Sequence, residues 1–541
     1  MHSIDVQQIG WQATGKTGVV AAGAAEAVAA GIEILESGGN AADAAAATIL
    51  ALNVTDHGQC SIGGEVPLLI YDAGKGEVKA LSGQGRAPLS QEAIDWYMEN
   101  GIPNADIKMA PVPSVVDLCI TTLQHYGTMT FGQIIAPTLA LLDAGTEAWH
   151  PNLAHTLRRM VEEEARTGGS REARLQAACD RFYGRHPERN DIAEELEAFY
   201  IEKGGFLRRQ DLAAHRTRIE EPVSVDYRGY RVYKCGPWTQ GPYLCQALRL
   251  LELTDLKAMG HLSADYVHVV TEALRLAMAD RDTYYGDPEF VDVPLEGLLS
   301  DAYAEIRWPL IDMAMASLEA RPGDPDAMQP LVGPGVFRPG VGGTTTCVVA
   351  DRWGNVVAAT PSANVHLAGG SGQAGVSYGN RLRSLNTTSG HPNCIQPGKR
   401  PRITLTPTLV LKDGQPVMAI SVAGGDLQDQ VTLELLLDVI EFGLEPAEAV
   451  TAPRFATYHH QDSFDPNAAR ERTFIKAGSL TLNDEISSGV REDLARRSHQ
   501  IETKNGAIAA PVMLILDPAS GVASVAGDPA AGRHAAEVRG D

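Results

Sequence analysis

In this 541-residue chain, Gly342-Gly343-Thr344 offers the residue types that self-cleavage and acyl transfer require. A threonine hydroxyl is too weak an acid to ionise at neutral pH. A free α-amino group, with an unperturbed pKa of about 7.7–8.0, is close to the ideal base there. An N-terminal threonine therefore carries nucleophile and base in one residue. Before cleavage that nitrogen is an amide, so the uncut chain is expected to be inactive. The same Oγ must first attack the carbonyl of Gly343, take the acyl group from nitrogen, and leave an ester for water to open. Glycines before the bond favour this, because a backbone without Cβ adopts strained dihedrals and exposes the carbonyl. The lead, RPGDPDAMQPLVGPGVFRPGVGG over residues 321–343, has neither helical nor strand period. It switches at Thr344-Thr345-Thr346-Cys347-Val348-Val349-Ala350-Asp351 to a strand pattern. The competing reading is a surface loop running into a Thr-rich strand.

Such a nucleophile needs an oxyanion site and partners for its amino group. Ala423-Gly424-Gly425-Asp426 ends a strand, so two successive N–H groups can point at one spot; the alternative is a plain turn. Ser362 closes the strand that follows the proposed nucleophile, with Asn364 two residues on. The Ser362 hydroxyl can hold the α-amino group of Thr344 in its basic orientation; Ser362 and Asn364 can equally serve as turn residues. His57 and His459-His460 lack further ligands at metal spacing, so no metal and no cofactor are expected. Gly83-x-Gly85 lacks the third glycine of a dinucleotide site.

The elements that must position these groups have a layered pattern. Residues 18–36 read as a strand and then an Ala-rich helix stopped at Ser37-Gly38-Gly39-Asn40. A second helix, from Ala41 to about Leu52, is apolar on nearly every side and should be buried. Residues 110–300 read as mainly helical, with a polar surface portion from Arg158 to Glu202. In it, Glu162-Glu163-Glu164 reads as a solvated helix face. Hairpins are expected about Arg228-Gly229, Asp351–Gly354, Asp413-Gly414 and Asp517–Gly521. A helix, Gln430–Phe442, sits between hairpins. Helices flanking paired antiparallel hairpins predict a four-layer α/β/β/α body. Residues 321–343 form the one convincing break, dividing a region 1–343 from a region 344–541, the two intertwined in one body.

Bulk properties limit the partners. A formal net charge of −23 disfavours nucleic acid and anionic membranes. The start of the chain lacks the pattern of a secretory signal, and the seven cysteines are scattered without a CxxC pair. This is compatible with a reducing cytoplasm and argues against a disulfide framework.

The motifs in order resemble the γ-glutamyltransferase family, of the N-terminal nucleophile hydrolase superfamily. Thr344-Thr345, Asp351, Gly354-Asn355, Thr360, Ser362 and Asn364 are similar to the start of its small subunit. Gly38-Gly39-Asn40-Ala41-Ala42-Asp43, Ser61-Ile62-Gly63-Gly64, Asp226-Tyr227-Arg228-Gly229-Tyr230 and Ala279-Asp280-Arg281 resemble large-subunit segments. Lys399-Arg400-Pro401, Thr406-Pro407-Thr408, Ala423-Gly424-Gly425, Ala452-Pro453-Arg454-Phe455 and Gly527-Asp528-Pro529 follow in family order. The resemblance implies an αββα sandwich with helical large-subunit elaborations and cleavage between Gly343 and Thr344. It also implies association of the two fragments as a heterodimer and acyl transfer from a small amide such as glutathione. It assigns the substrate carboxylate to Arg86, whose fork of donors suits that group.

Two departures bear on substrate. Of the family's serine pair only one hydroxyl remains, in Ile403-Thr404. Where the family has an aspartate for the substrate's α-ammonium, this chain has Arg383. Either Arg383 faces the pocket and welcomes a second anionic group, or a shift of one or two residues turns it to solvent. The first case favours a non-γ-glutamyl acidic amide, oxamate-like or a dicarboxylic monoamide, or a β-lactam side chain. A further alternative is an uncleaved relative that binds a small anion without turnover.

Overall fold

The computed structural model describes residues 6–103, 106–332, 344–363 and 372–539. Two seven-stranded sheets stack face to face, and the outer face of each is covered by helices. The first runs His534–Glu537, Gly18–Ala22, Cys347–Asp351, Val356–Ala359, Val66–Asp72, Glu77–Gly83, Ile219–Glu220. The second runs Gln12–Gly15, Val522–Gly527, Ala510–Asp517, Gln415–Ala423, Thr408–Lys412, Tyr230–Lys234, Val223–Tyr227. Every neighbouring pair in both sheets is antiparallel. Strands from before residue 332 and after residue 344 interleave in each sheet.

The layer order follows from side-chain alternation along the strands. Val19, Ala21, Val348 and Ala350 meet Leu409, Ala419, Leu514 and Val525 between the sheets. Val20, Ala22, Val349 and Val357 point the other way, onto the helices Ala25–Glu36 and Ala41–Thr55. Val410, Ile420, Val422 and Met513 likewise face the helices Pro242–Leu251, Ala264–Tyr284 and Gln428–Ile440. The body is thus a four-layer αββα sandwich. The central strands are buried on both faces, which is why Gly18–Ala22, Cys347–Asp351 and Val356–Ala359 read as near-continuous apolar runs.

The second helix is buried as its composition predicts, and Asn40 and Asp43 close its start with a capping box. The helix of the last hairpin region begins at Gln428, two residues earlier than its apolar period suggests. One expectation is corrected. In the helix His150–Arg166, Glu162 is exposed, but Glu163 and Glu164 are buried. Glu163 pairs with Arg189 at 2.9 Å, and Glu164 accepts from the backbone N–H groups of Phe131 and Gly132 at 2.8 and 2.9 Å. Successive residues turn about 100° around a helix, so three glutamates in a row cannot share a face. All seven cysteines are free and buried. Among the described residues no helix is long and apolar enough to cross a membrane, and no cluster of His, Cys, Asp and Glu has the geometry of a metal site.

Candidate active site

Hairpin register brings the first two groups together. Cys347 pairs with Ala359 at the end of the hairpin. Three residues outward on each strand are Thr344 and Ser362, and their hydroxyl oxygens lie 3.4 Å apart. Thr344 is 4% exposed and Ser362 fully buried. The Thr344 N–H donates to Gln59 Oε1 at 3.2 Å, and Thr345 N–H to the carbonyl of Pro361 at 2.9 Å. Threonine thus heads a central strand with its hydroxyl and nitrogen both held by side chains.

Ser362 is fixed from its far side. Arg381 Nη2 donates to its Oγ at 2.8 Å, while Arg381 Nε donates to Glu65 Oε1 at 2.7 Å. Glu65 and Ser362 also exchange two backbone hydrogen bonds of 2.9 Å. Gly64 makes this close approach possible: a Cβ there would stand 2.1 Å from the Ser362 carbonyl oxygen. Glu65 is fully buried, and burial pushes its carboxyl pKa up, against the pull of Arg381. Ser421 ties the two sheets at the same end, with its Oγ 3.0 Å from Thr360 Oγ1 and donating to the Ala359 carbonyl at 2.8 Å.

The Gly424-Gly425 turn reaches this cluster through Gln428. With its amide oriented to satisfy its neighbours, Gln428 donates to the carbonyls of Val422 and Thr404 at 3.1 and 3.0 Å. Its oxygen accepts from Gly425 N–H at 3.3 Å and lies 3.4 Å from Thr344 Oγ1. Gly425 has φ of +60°, a conformation that favours glycine. Asp426 anchors the turn: it pairs with Arg281 at 2.6 Å and accepts from Ser463 Oγ at 2.5 Å. Burial alone would raise the Asp426 pKa, but Arg281 and its cationic neighbours hold it well below the usual carboxylate range. Ser463 in turn places Phe464, whose ring edge lies 3.1 Å from where a Cβ of Gly425 would stand.

The structure therefore joins Thr344, Ser362, Gly425 and, through its carbonyl, Thr404. Among the described residues the buried Thr404 hydroxyl has no hydrogen-bond partner. Arg383 sits beside them, half-buried, with its guanidinium 4.6 Å over the Phe464 ring. Burial first, and then repulsion from Arg381, push its pKa down to about 10. Arg86 makes no direct contact with this group: it forms a two-pronged pair with Glu289, at 2.8 and 3.2 Å, and donates to the Gly398 carbonyl. Asn364 and Gly343 lie outside the described residues. Gln59, Glu65, Arg381, Gln428 and Phe464 escape sequence reasoning, although Glu65 and Arg381 border the motifs that carry the resemblance.

A sequence model of the family described as gamma-glutamyltranspeptidase matches residues 27–167 and 143–538. The glutathione hydrolase proenzyme of Escherichia coli (strain K12) is 31% identical over 492 residues, covering 82% of this chain and 81% of its own length. Among solved structures, LmbA2991HD superposes with a TM-score of 0.86 at 31% identity, over 98% of this chain and 100% of that one. The cephalosporin acylase from Bacillus halodurans superposes with a TM-score of 0.80 at 25% identity, over 98% and 97%.

Proposed function

The chain belongs to the gamma-glutamyltranspeptidase family, and on that premise we propose that Thr344, freed by cleavage of the bond to Gly343, is its catalytic nucleophile. The protein is a γ-glutamyltransferase-like amidohydrolase of the N-terminal nucleophile type. The observation that carries the assignment is the Thr344 hydroxyl, buried between Ser362 Oγ and the Gln428 amide beside the Gly424-Gly425 turn.

In the proposed cycle Thr344 Oγ attacks an amide carbonyl while its own α-amino group takes the proton. The oxyanion is received by N–H groups of Gly424 and Gly425. The 3.3 Å bond from Gly425 to Gln428 is long enough to yield to a charged oxygen, which binds an N–H more strongly than a neutral amide does. The protonated amine passes its proton to the leaving nitrogen, the amine departs, and water or an acceptor amine resolves the ester. Ser362, held by Arg381, keeps the nucleophile in place, with Asn364 assigned beside it by the resemblance. The mature form is a heterodimer of residues 1–343 and 344–541, and it acts on γ-glutamyl or related amides of small molecules.

Incubating purified protein with an acyl p-nitroanilide, quenching in acid and mapping peptides by mass tests the assignment. The acyl group is expected on the peptide beginning at Thr344, and Thr344→Ala is expected to stay uncut and inactive. Acylation at another residue, or turnover by Thr344→Ala, sinks it.

A further inference from the structure

The arginine expected to hold the substrate's carboxylate is not the one left available. Arg86 already forms a two-pronged pair with Glu289, a carboxylate it shares with Arg218 at 2.6 Å. Arg383 is different. Among the described residues it forms no ion pair, and its Nε is buried without an acceptor. A second cation, Arg381, lies over the same Phe464 ring at 5.4 Å and repels it, while Asp462 and Glu65 attract it from nearby.

The nearby carboxylates make their hydrogen bonds to other groups. Glu65 Oε1 takes Arg381 Nε at 2.7 Å, and Asp462 Oδ1 accepts from the Phe464 N–H at 2.8 Å. Asp426 belongs to Arg281 and Ser463. Arg381 Nη1, Thr404 Oγ1 and Ser384 Oγ are also buried without partners. A partly desolvated guanidinium beside a second cation is costly unless an anion completes it. Phe464 places this guanidinium next to the turn of Gly425, hence next to the carbonyl that Thr344 would attack.

Resting on the reading of Thr344 above, we propose that Arg383 anchors a carboxylate of the acyl donor, and that the preferred donors are monoamides of short dicarboxylic acids lacking an α-ammonium group. Arg381 and Arg383 together repel an ammonium at the place where they attract a carboxylate. The planar fork of Arg383, stacked on Phe464, suits two-point recognition of that group.

Glutaryl-p-nitroanilide and γ-L-glutamyl-p-nitroanilide differ only by the α-amino group, and pentanoyl-p-nitroanilide lacks the charges altogether. With the mature enzyme, kcat/KM for the glutaryl compound is expected to exceed that for the γ-glutamyl compound by about tenfold or more. Arg383→Gln should lose about tenfold to a hundredfold on the glutaryl compound, the range of a charge-assisted hydrogen bond, and little on the pentanoyl one. Completed self-cleavage of the variant reports that it folds, and the wild-type comparison needs no variant. Equal or better use of the γ-glutamyl compound overturns the proposal, as does an equal loss on all three substrates. If no anilide is turned over, calorimetry with glutarate on the mature protein decides. Binding that Arg383→Gln abolishes sustains the proposal, and absence of binding overturns it. Hydrolysis that survives Thr344→Ala refutes the nucleophile assignment instead, and leaves the Arg383 comparison standing.

Discussion

Arg381→Met is the perturbation with the largest effect expected from this structure. Arg381 is the one ion-pair partner of Glu65 among the described residues, and both side chains are essentially inaccessible. Glu65 Oε2 already lacks a hydrogen-bond partner among the described residues, so removing the guanidinium leaves the carboxylate with little to replace its water. Breaking a buried pair from one side costs about 3–5 kcal/mol. Glu65 can escape part of that cost by taking a proton. Its folded-state pKa, already raised by burial, rises further when Arg381 is gone. A carboxyl raised above its unfolded value contributes stability at low pH that is lost as pH increases through the folded value. The loss is therefore expected to be smaller at low pH and to grow as pH rises.

Urea unfolding should be followed in a Thr344→Ala background, where one uncut chain keeps the measurement unimolecular. Glu65→Gln alone is expected to cost about 1–3 kcal/mol, and the double variant less than the two singles together, by about 1–3 kcal/mol. With Thr344 restored, Arg381→Met should also slow self-cleavage, because Ser362 loses its 2.8 Å donor. Stability within about 0.5 kcal/mol of the parent at pH 8, or an additive double variant, would refute the reasoning.

Gly64→Ala places a Cβ 2.1 Å from the Ser362 carbonyl and 2.7 Å from Ala363 Cβ. It is expected to cost about 1–3 kcal/mol and to leave the chain largely uncut on a denaturing gel while circular dichroism stays native. Asp462 is buried beside Asp426, and burial, then that like charge, raise its pKa to about 6. Its contribution to stability is thus present below the unfolded value near 4 and is lost as pH rises through 6. Asp462→Asn should remove that dependence and raise stability at pH 7.5 by roughly 2–3 kcal/mol, read as a smaller gap between melting temperatures at pH 4.5 and 7.5. An unchanged gap counts against the raised carboxyl.

Local pattern made the frame legible. The turn residues Asp413 and Gly414 have φ of 51° and 77°, as a tight hairpin turn demands, and both are turn formers by type. The pairing of Thr344 with Ser362 follows from one hairpin register, because their distances from the turn match. The active-site electrostatics left no such mark. Glu65 and Arg381 are 316 residues apart, and Arg86 and Glu289 are 203 apart. Each residue alone reads as an ordinary charge, and no period or motif links two sites that only the fold makes adjacent. For the same reason sequence alone cannot tell that, among the described residues, Arg86 has a carboxylate partner while Arg383 has none. The three glutamates at 162–164 mislead in the opposite direction: composition suggests solvent, but the partners that bury two of them lie on other segments.

The central claim, that Thr344 becomes an N-terminal nucleophile by self-cleavage, is tested most directly by intact mass and N-terminal sequencing of the purified protein. The expected result is two fragments, 1–343 and 344–541, the second starting at Thr344, with Thr344→Ala remaining one full-length chain. A wild-type protein that stays a single uncut chain while hydrolysing amides, or fragments that begin elsewhere, would contradict it.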